Sequence, residues 1–136
     1  MTSNPGSVYQ EIADRLASLG GFFVGDPPNA TPPPYTFVWG PGMIQDAPTF
    51  GGLRTVDRRL HVTVVHTTPN NALLLASQAE ELLSGFVPTV DGWVFSPLTV
   101  TGSEPVQTAH SVVETDTNRS AAWLVLHVRL RGQQIG

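Results

Sequence analysis

Hydrophobic and polar positions alternate one for one along residues 60–67 of this 136-residue chain, with Leu60, Val62 and Val64 on one side and His61, Thr63 and Val65 on the other. A half-buried strand has that period. The period then lengthens. Ala72, Leu75, Ala76, Ala79, Leu82, Leu83 and Phe86 share one face of a 3.6-residue helix, and Ser77, Gln78, Glu80 and Glu81 lie off it. Thr68-Pro69 supplies an N-cap and a proline at the first helical position, and Gly85 sits at the stop. A strand and helix joined so tightly have to pack together, which predicts a sheet with one face under a helix. Leu73 and Leu74 fall off the apolar stripe and either pack on a loop or meet a neighbour.

The same reading extends along the rest of the chain. Residues 1–6 are small and polar and read as a flexible arm. Ser7 and Gln10 have capping-box spacing, and Val8, Ile12, Leu16 and Leu19 then repeat as one helical stripe until Gly20-Gly21. Residues 22–24 are a short apolar strand candidate. Residues 26–34 carry five prolines, which forbids a central strand there. Residues 35–39 form a second strand candidate before Gly40-Pro41-Gly42. The long connection of residues 40–57 holds Met43, Ile44 and Phe50 before Arg54, and apolar residues in so long a loop either serve docking or tuck beneath the domain's own sheet. Later strand candidates are residues 93–95, 98–101 and 106–114, with turn composition at 115–120. Residues 123–131 alternate cleanly, with Leu124, Leu126, Val128 and Leu130 opposite Trp123, Val125, His127, Arg129 and Arg131.

This order predicts a single α+β domain over residues 1–136, in two layers, whose mostly antiparallel sheet is covered on one face by two helices. The opposite face would then hold His61, Thr63, Val65, Trp123, His127 and Arg129. Such a set is too apolar for a freely wetted surface and too polar for a core, as subunit interfaces are.

Composition narrows the chemistry. The chain has no cysteine, so disulfides, thiolate nucleophiles and sulfur-ligated metals are excluded. All seven basic residues are arginine, which removes lysine-dependent phosphate and Schiff-base chemistry. The net charge of -4 argues against affinity won by neutralising nucleic-acid phosphates. No run reaches the ~18 apolar residues of a membrane span, and no signal-peptide pattern opens the chain, so assembly in a cytoplasm is expected.

No catalytic or metal constellation stands out. His61 and His66 are five apart on a strand and point to opposite faces, while His61 and His127 are candidates for cross-strand neighbours without a carboxylate to complete a metal site. No G-x-S-x-G elbow activates a serine. Asp57 with Arg58 and Arg59 reads as the solvated start of a strand or as an intersubunit ion-pair site. The expectation is a protein that is not an enzyme and carries no cofactor.

A capped first helix, the strand Y-T-F-V-W, the strand R-R-L-H-V-T-V-V-H-T running into a helix with A-x-x-L-L-x-G-F, and the closing L-V-L-H-V-R-L-R together resemble the tail terminator, or tail-completion, proteins of long-tailed bacteriophages. The likeness spans most of the chain and lies in element order and pattern. It implies a structural virion protein at the head-proximal end of the tail, forming a six-subunit ring. That ring would cap the tail tube, end polymerisation of the tube protein and present a surface to the head-tail connector protein. DNA would pass through its channel without specific binding, and no membrane would be involved. On this resemblance the ring interface falls to Arg58, Arg59, Trp123, Arg129 and Arg131, and tube or connector docking to Met43, Ile44, Phe50 and Arg54. The alternatives are a head-tail connector or stopper neck protein, or a small α+β ligand-binding domain or enzyme with a closed pocket near His61 or His127.

Overall fold

The computed structural model describes residues 8–19, 21–25, 33–40, 54–112 and 118–135, by backbone alone at residues 21–23, 109–112 and 118–120. Helix α1 (Val8–Arg15) buries Val8, Ile12 and Ala13, and Leu16 continues the stripe. A single 3-10 turn, Ala17–Leu19, follows where a continuous helix to Gly20 was expected. Strands β1 (Gly21–Val24), β2 (Tyr35–Trp39) and β3 (Thr55–His66) lead to helix α2 (Pro69–Leu83). Strands β4 (Trp93–Phe95), β5 (Thr99–Ser103), β6 (Gln107–Val112) and β7 (Asn118–Gln134) complete the chain.

Helix α2 starts and stops where its sequence says. The Thr68 hydroxyl accepts from the Asn71 backbone N–H at 3.2 Å, answering one of the donors that the first helical turn leaves open, and Pro69 needs no donor there. Past the last turn, Gly85 takes φ +83°, a region other residues enter only with strain, and its N–H reaches the Leu98 carbonyl.

The sheet is organised by β3 and β7, which pair antiparallel along the whole of β3, from Thr55↔Gln133 to His66↔Ala122. Strand β2 lies antiparallel on the other side of β3, and β1 adds in parallel at the edge. The far edge of β7 is taken in turn by β6, β5 and β4 along its length. Both long strands exceed their clean alternation. Strand β3 begins at Thr55, so residues 55–57, expected to end the long connection, are ladder rather than loop, Arg58 and Arg59 continue the strand they were expected to open, and residues 118–120, expected in a turn, open β7. Charge in these places hides the strand from a hydrophobicity pattern, because backbone pairing with a partner holds residues whose side chains stay in water.

Both helices cover one side of this sheet. Val56, Leu60, Val62 and Val64 of β3 join Ala122, Leu124, Leu126, Val128 and Leu130 of β7 in one core with Ala72, Leu75, Ala76, Ala79 and Leu83 of α2 and the α1 stripe. Each fully buried aliphatic side chain contributes roughly 1.5–3 kcal/mol. Leu60 is fully buried at the centre, and Leu60→Ala would cost about 2–5 kcal/mol through lost transfer and a cavity. The two helices are joined at one end, where the Arg15 guanidinium donates through Nε to the Leu82 carbonyl at 3.0 Å and lies 5.2 Å from the Phe86 ring centre. The result is the two-layer α+β arrangement, in which one face of the sheet carries no helix among the described residues.

Candidate functional site

The register builds the uncovered face row by row. Tyr35, Val65 and Trp123 lie abreast on β2, β3 and β7, then Phe37, Thr63 and Val125, then Trp39, His61 and His127. Arg59 and Arg129 form the next row, and Asp57 and Arg131 the last. Strand alternation alone puts all these side chains on one side. The face therefore grades from aromatic, through imidazole, to guanidinium and carboxylate.

At the aromatic end, Thr63 and Val65 are only 6% exposed although no helix covers them, because larger neighbours stand over them. Tyr35 and Phe37 stack at 6.2 Å, and the Trp39 indole donates to the Thr63 hydroxyl at 2.8 Å. Trp39 itself stays 41% exposed. These residues, with Trp123, Val125 and Ala121, line a shallow hollow of about 630 Å³. Burial among them pushes the Tyr35 phenol up from its ordinary value.

The His61 ring stacks on Trp39 at 4.3 Å and meets the His127 ring edge-on at 5.1 Å. The Nδ1 atoms of both histidines are buried without a hydrogen-bond partner among the described residues. Burial, then the neighbouring His127 and Arg59, holds the His61 pKa below its ordinary 6.5, with Glu104 pulling the other way. Among the described residues no group of three or more histidine, aspartate or glutamate side chains comes together to hold a metal. His61 and His66 do fall on opposite sides by alternation, and His66 turns its Nδ1 to the Thr67 N–H at 2.8 Å.

At the charged end, Arg129 grips Asp57 with Nε at 3.2 Å and Nη2 at 2.9 Å, and this paired guanidinium holds the Asp57 carboxyl below its usual range. Arg59 makes no hydrogen bond or ion pair among the described residues. Asp57, Arg58, Arg59, Thr101 and Arg129 surround a second hollow of about 460 Å³ beside the aromatic one.

Of the expected ring residues, Arg59, Trp123, Arg129 and Arg131 thus share the open face. Arg58 alternates toward the helix side, next to Leu130, and donates to the Asp57 carbonyl at 2.9 Å, reaching only the rim of the charged hollow. Arg54 is half-buried at the foot of β3, where its backbone exchanges hydrogen bonds with Gln134. Met43, Ile44 and Phe50 lie outside the described residues. The aromatic contribution of β2 was not anticipated, although Tyr35, Phe37 and Trp39 at every second position carried its signal. Leu73 and Leu74 are 51% and 61% exposed, so they are not packed beneath a loop.

These features define a two-layer α+β domain with a graded sheet face and shallow hollows. No protein-family model matches the chain, and no curated protein matches it. Among solved structures, a chain from the virion of a native gene transfer agent particle is similar, at a TM-score of 0.59 and 16% identity, over 90% of this chain and 91% of that one. At so low an identity what the two share is the fold. No described helix is long and apolar enough to cross a membrane.

Proposed function

We propose that this chain is a structural protein of a phage-like virion, and within it a ring-forming protein that closes the head-proximal end of the tail. The carrying observation is the likeness, across nine-tenths of both chains, to a protein whose place is a virion. The open sheet face supports it. A surface that mixes half-buried aromatics with arginines around shallow hollows suits a neighbouring protein better than a small substrate, which is normally enclosed on most sides.

On this reading the protein acts by assembly rather than turnover and needs no cofactor. Each protomer meets the next through heterologous contacts, and the angle between them closes the ring at a set number, six in this proposal. Arg58, Arg59, Trp123, Arg129 and Arg131 serve the ring, while Met43, Ile44, Phe50 and Arg54 serve the tail tube protein or the head-tail connector. A net charge of -4 suits a channel through which DNA slides without being held.

Electron microscopy of tails assembled without this protein tests the reading. Overlong tubes are expected. Tubes of normal length on DNA-filled heads that leak would instead indicate a connector or stopper, and normal, infectious particles would remove the protein from the virion altogether.

A further inference from the structure

The outward side of α2 repeats, in complementary chemistry, the gradient of the open sheet face. Leu73 and Glu80, and likewise Leu74 and Glu81, are seven residues apart and so lie on the same line along the helix, two turns from each other. All four are exposed. The helix thus shows an apolar pair followed, about 10 Å on, by an acidic pair. On the sheet, the hollow centred on Thr63 and Val125 is followed four residues along both strands, about 13 Å away, by Arg59 and Arg129. Arginine side chains are long enough to absorb that small difference.

The charges match in number as well. At its arginine end the open face carries Arg59, Arg129 and Arg131 against the carboxylate of Asp57, a local surplus of two positive charges, with Glu104 farther along near His61, and α2 offers two exposed carboxylates, Glu80 and Glu81. The two surfaces are on opposite outsides of the two layers, so they cannot meet within one molecule. A contact between them is head-to-tail, the kind that generates rings when the rotation closes.

Deepening the ring reading above and resting on it, we infer that the partner of the open sheet face is a second copy of this chain. Helix α2 of that copy lies on it with Leu73 and Leu74 in the aromatic hollow and Glu80 and Glu81 against the arginine cluster.

Sedimentation velocity on the full-length chain, with charges exchanged at exposed positions, tests the contact. One variant carries Glu80→Arg and Glu81→Arg; the other carries Arg59→Glu and Arg131→Glu and keeps the Asp57–Arg129 pair. Wild-type protein is expected to self-associate more strongly at low salt than at high salt. Each variant alone sets like charges face to face and should weaken self-association roughly a hundredfold. An equimolar mixture should recover it, since every contact in an alternating assembly then joins opposite charges, and recovery itself shows that both variants are folded. Variants that assemble like the wild type, or a mixture of folded variants that fails to recover, overturn the helix-on-sheet contact while leaving the ring reading to the tail-length experiment. A wild-type chain that stays monomeric up to on the order of 1 mM overturns self-contact through this face, and again the length of tails lacking the protein decides the ring reading separately.

Discussion

Arg129 holds Asp57 from two rungs away across the β3–β7 ladder, with two nitrogens on two oxygens at 3.2 and 2.9 Å. Fork-to-fork geometry makes this a well-formed ion pair, yet both side chains stand half in water, so salt screens it.

The pair has an acid limb. Asp57 binds its proton less tightly in the folded chain than at its ordinary pKa of 3.8, chiefly through the Arg129 hydrogen bonds. Its contribution to stability is therefore present above that value and is lost as pH falls through the lower folded value. Denaturant midpoints measured from about pH 5 down to about pH 2 should fall less steeply in Asp57→Asn than in wild type, and the difference should shrink in high salt.

His61 gives up its proton more readily than an ordinary histidine. Its folded pKa lies below 6.5 because burial beside Trp39 and His127 disfavours the charged ring. The unfolded chain takes up the proton first, so stability is full above about 6.5 and declines as pH falls toward the lower folded value. Stability curves between about pH 7.5 and pH 5 should show that decline, and His61→Gln should flatten it. Glu104→Gln, which removes the one opposing charge, should push the His61 titration, followed by NMR, further down.

Phe95 lies across Gly132 from the neighbouring strand, and a Cβ at Gly132 would run into Cδ1 and Cε1 of its ring. Phe95 is a buried core residue, so the ring has little room to withdraw. Gly132→Ala should cost about 1–3 kcal/mol by overpacking and lower the thermal midpoint by several degrees. Combining it with Phe95→Leu should recover part of that loss; an additive double variant would mean that the ring is not the obstacle.

Thr68 offers a cleaner local test. Its hydroxyl serves the Asn71 N–H, and Thr68→Ala should cost about 1 kcal/mol in urea unfolding, with Thr68→Ser close to wild type.

The legible parts of the molecule were those where side-chain polarity and backbone period agree. The alternation about Leu60 and about Leu126, the stripe from Ala72 to Phe86 and the Thr68-Pro69 start led directly to β3, β7 and α2 and to a sheet covered on one face. The histidine pair was legible as a possibility because both residues fall on the outward positions of their strands, and the register sets them opposite each other. Other features depended on contacts between distant segments. That the strand reaches back through Asp57 to Thr55 follows from pairing with Arg131 and Gln133, which no local pattern carries. The parallel lie of β1 against β2, and the succession of three strands along one edge of β7, are likewise products of tertiary pairing. The aromatic hollow needed β2 beside β3 in one particular register, Phe37 abreast of Thr63, before its separate residues became one surface.

Strand β7 serves four neighbours at once, and along residues 121–131 every second side chain faces the helices while the others face outward. Dropping one residue near Val125 would slip everything beyond it by a single place, turning Arg129 and Arg131 under the helices and Leu130 out to the solvent. The interior and the contact side of this protein are thus spelled in alternate letters of the same stretch, and neither can drift in length without rewriting the other.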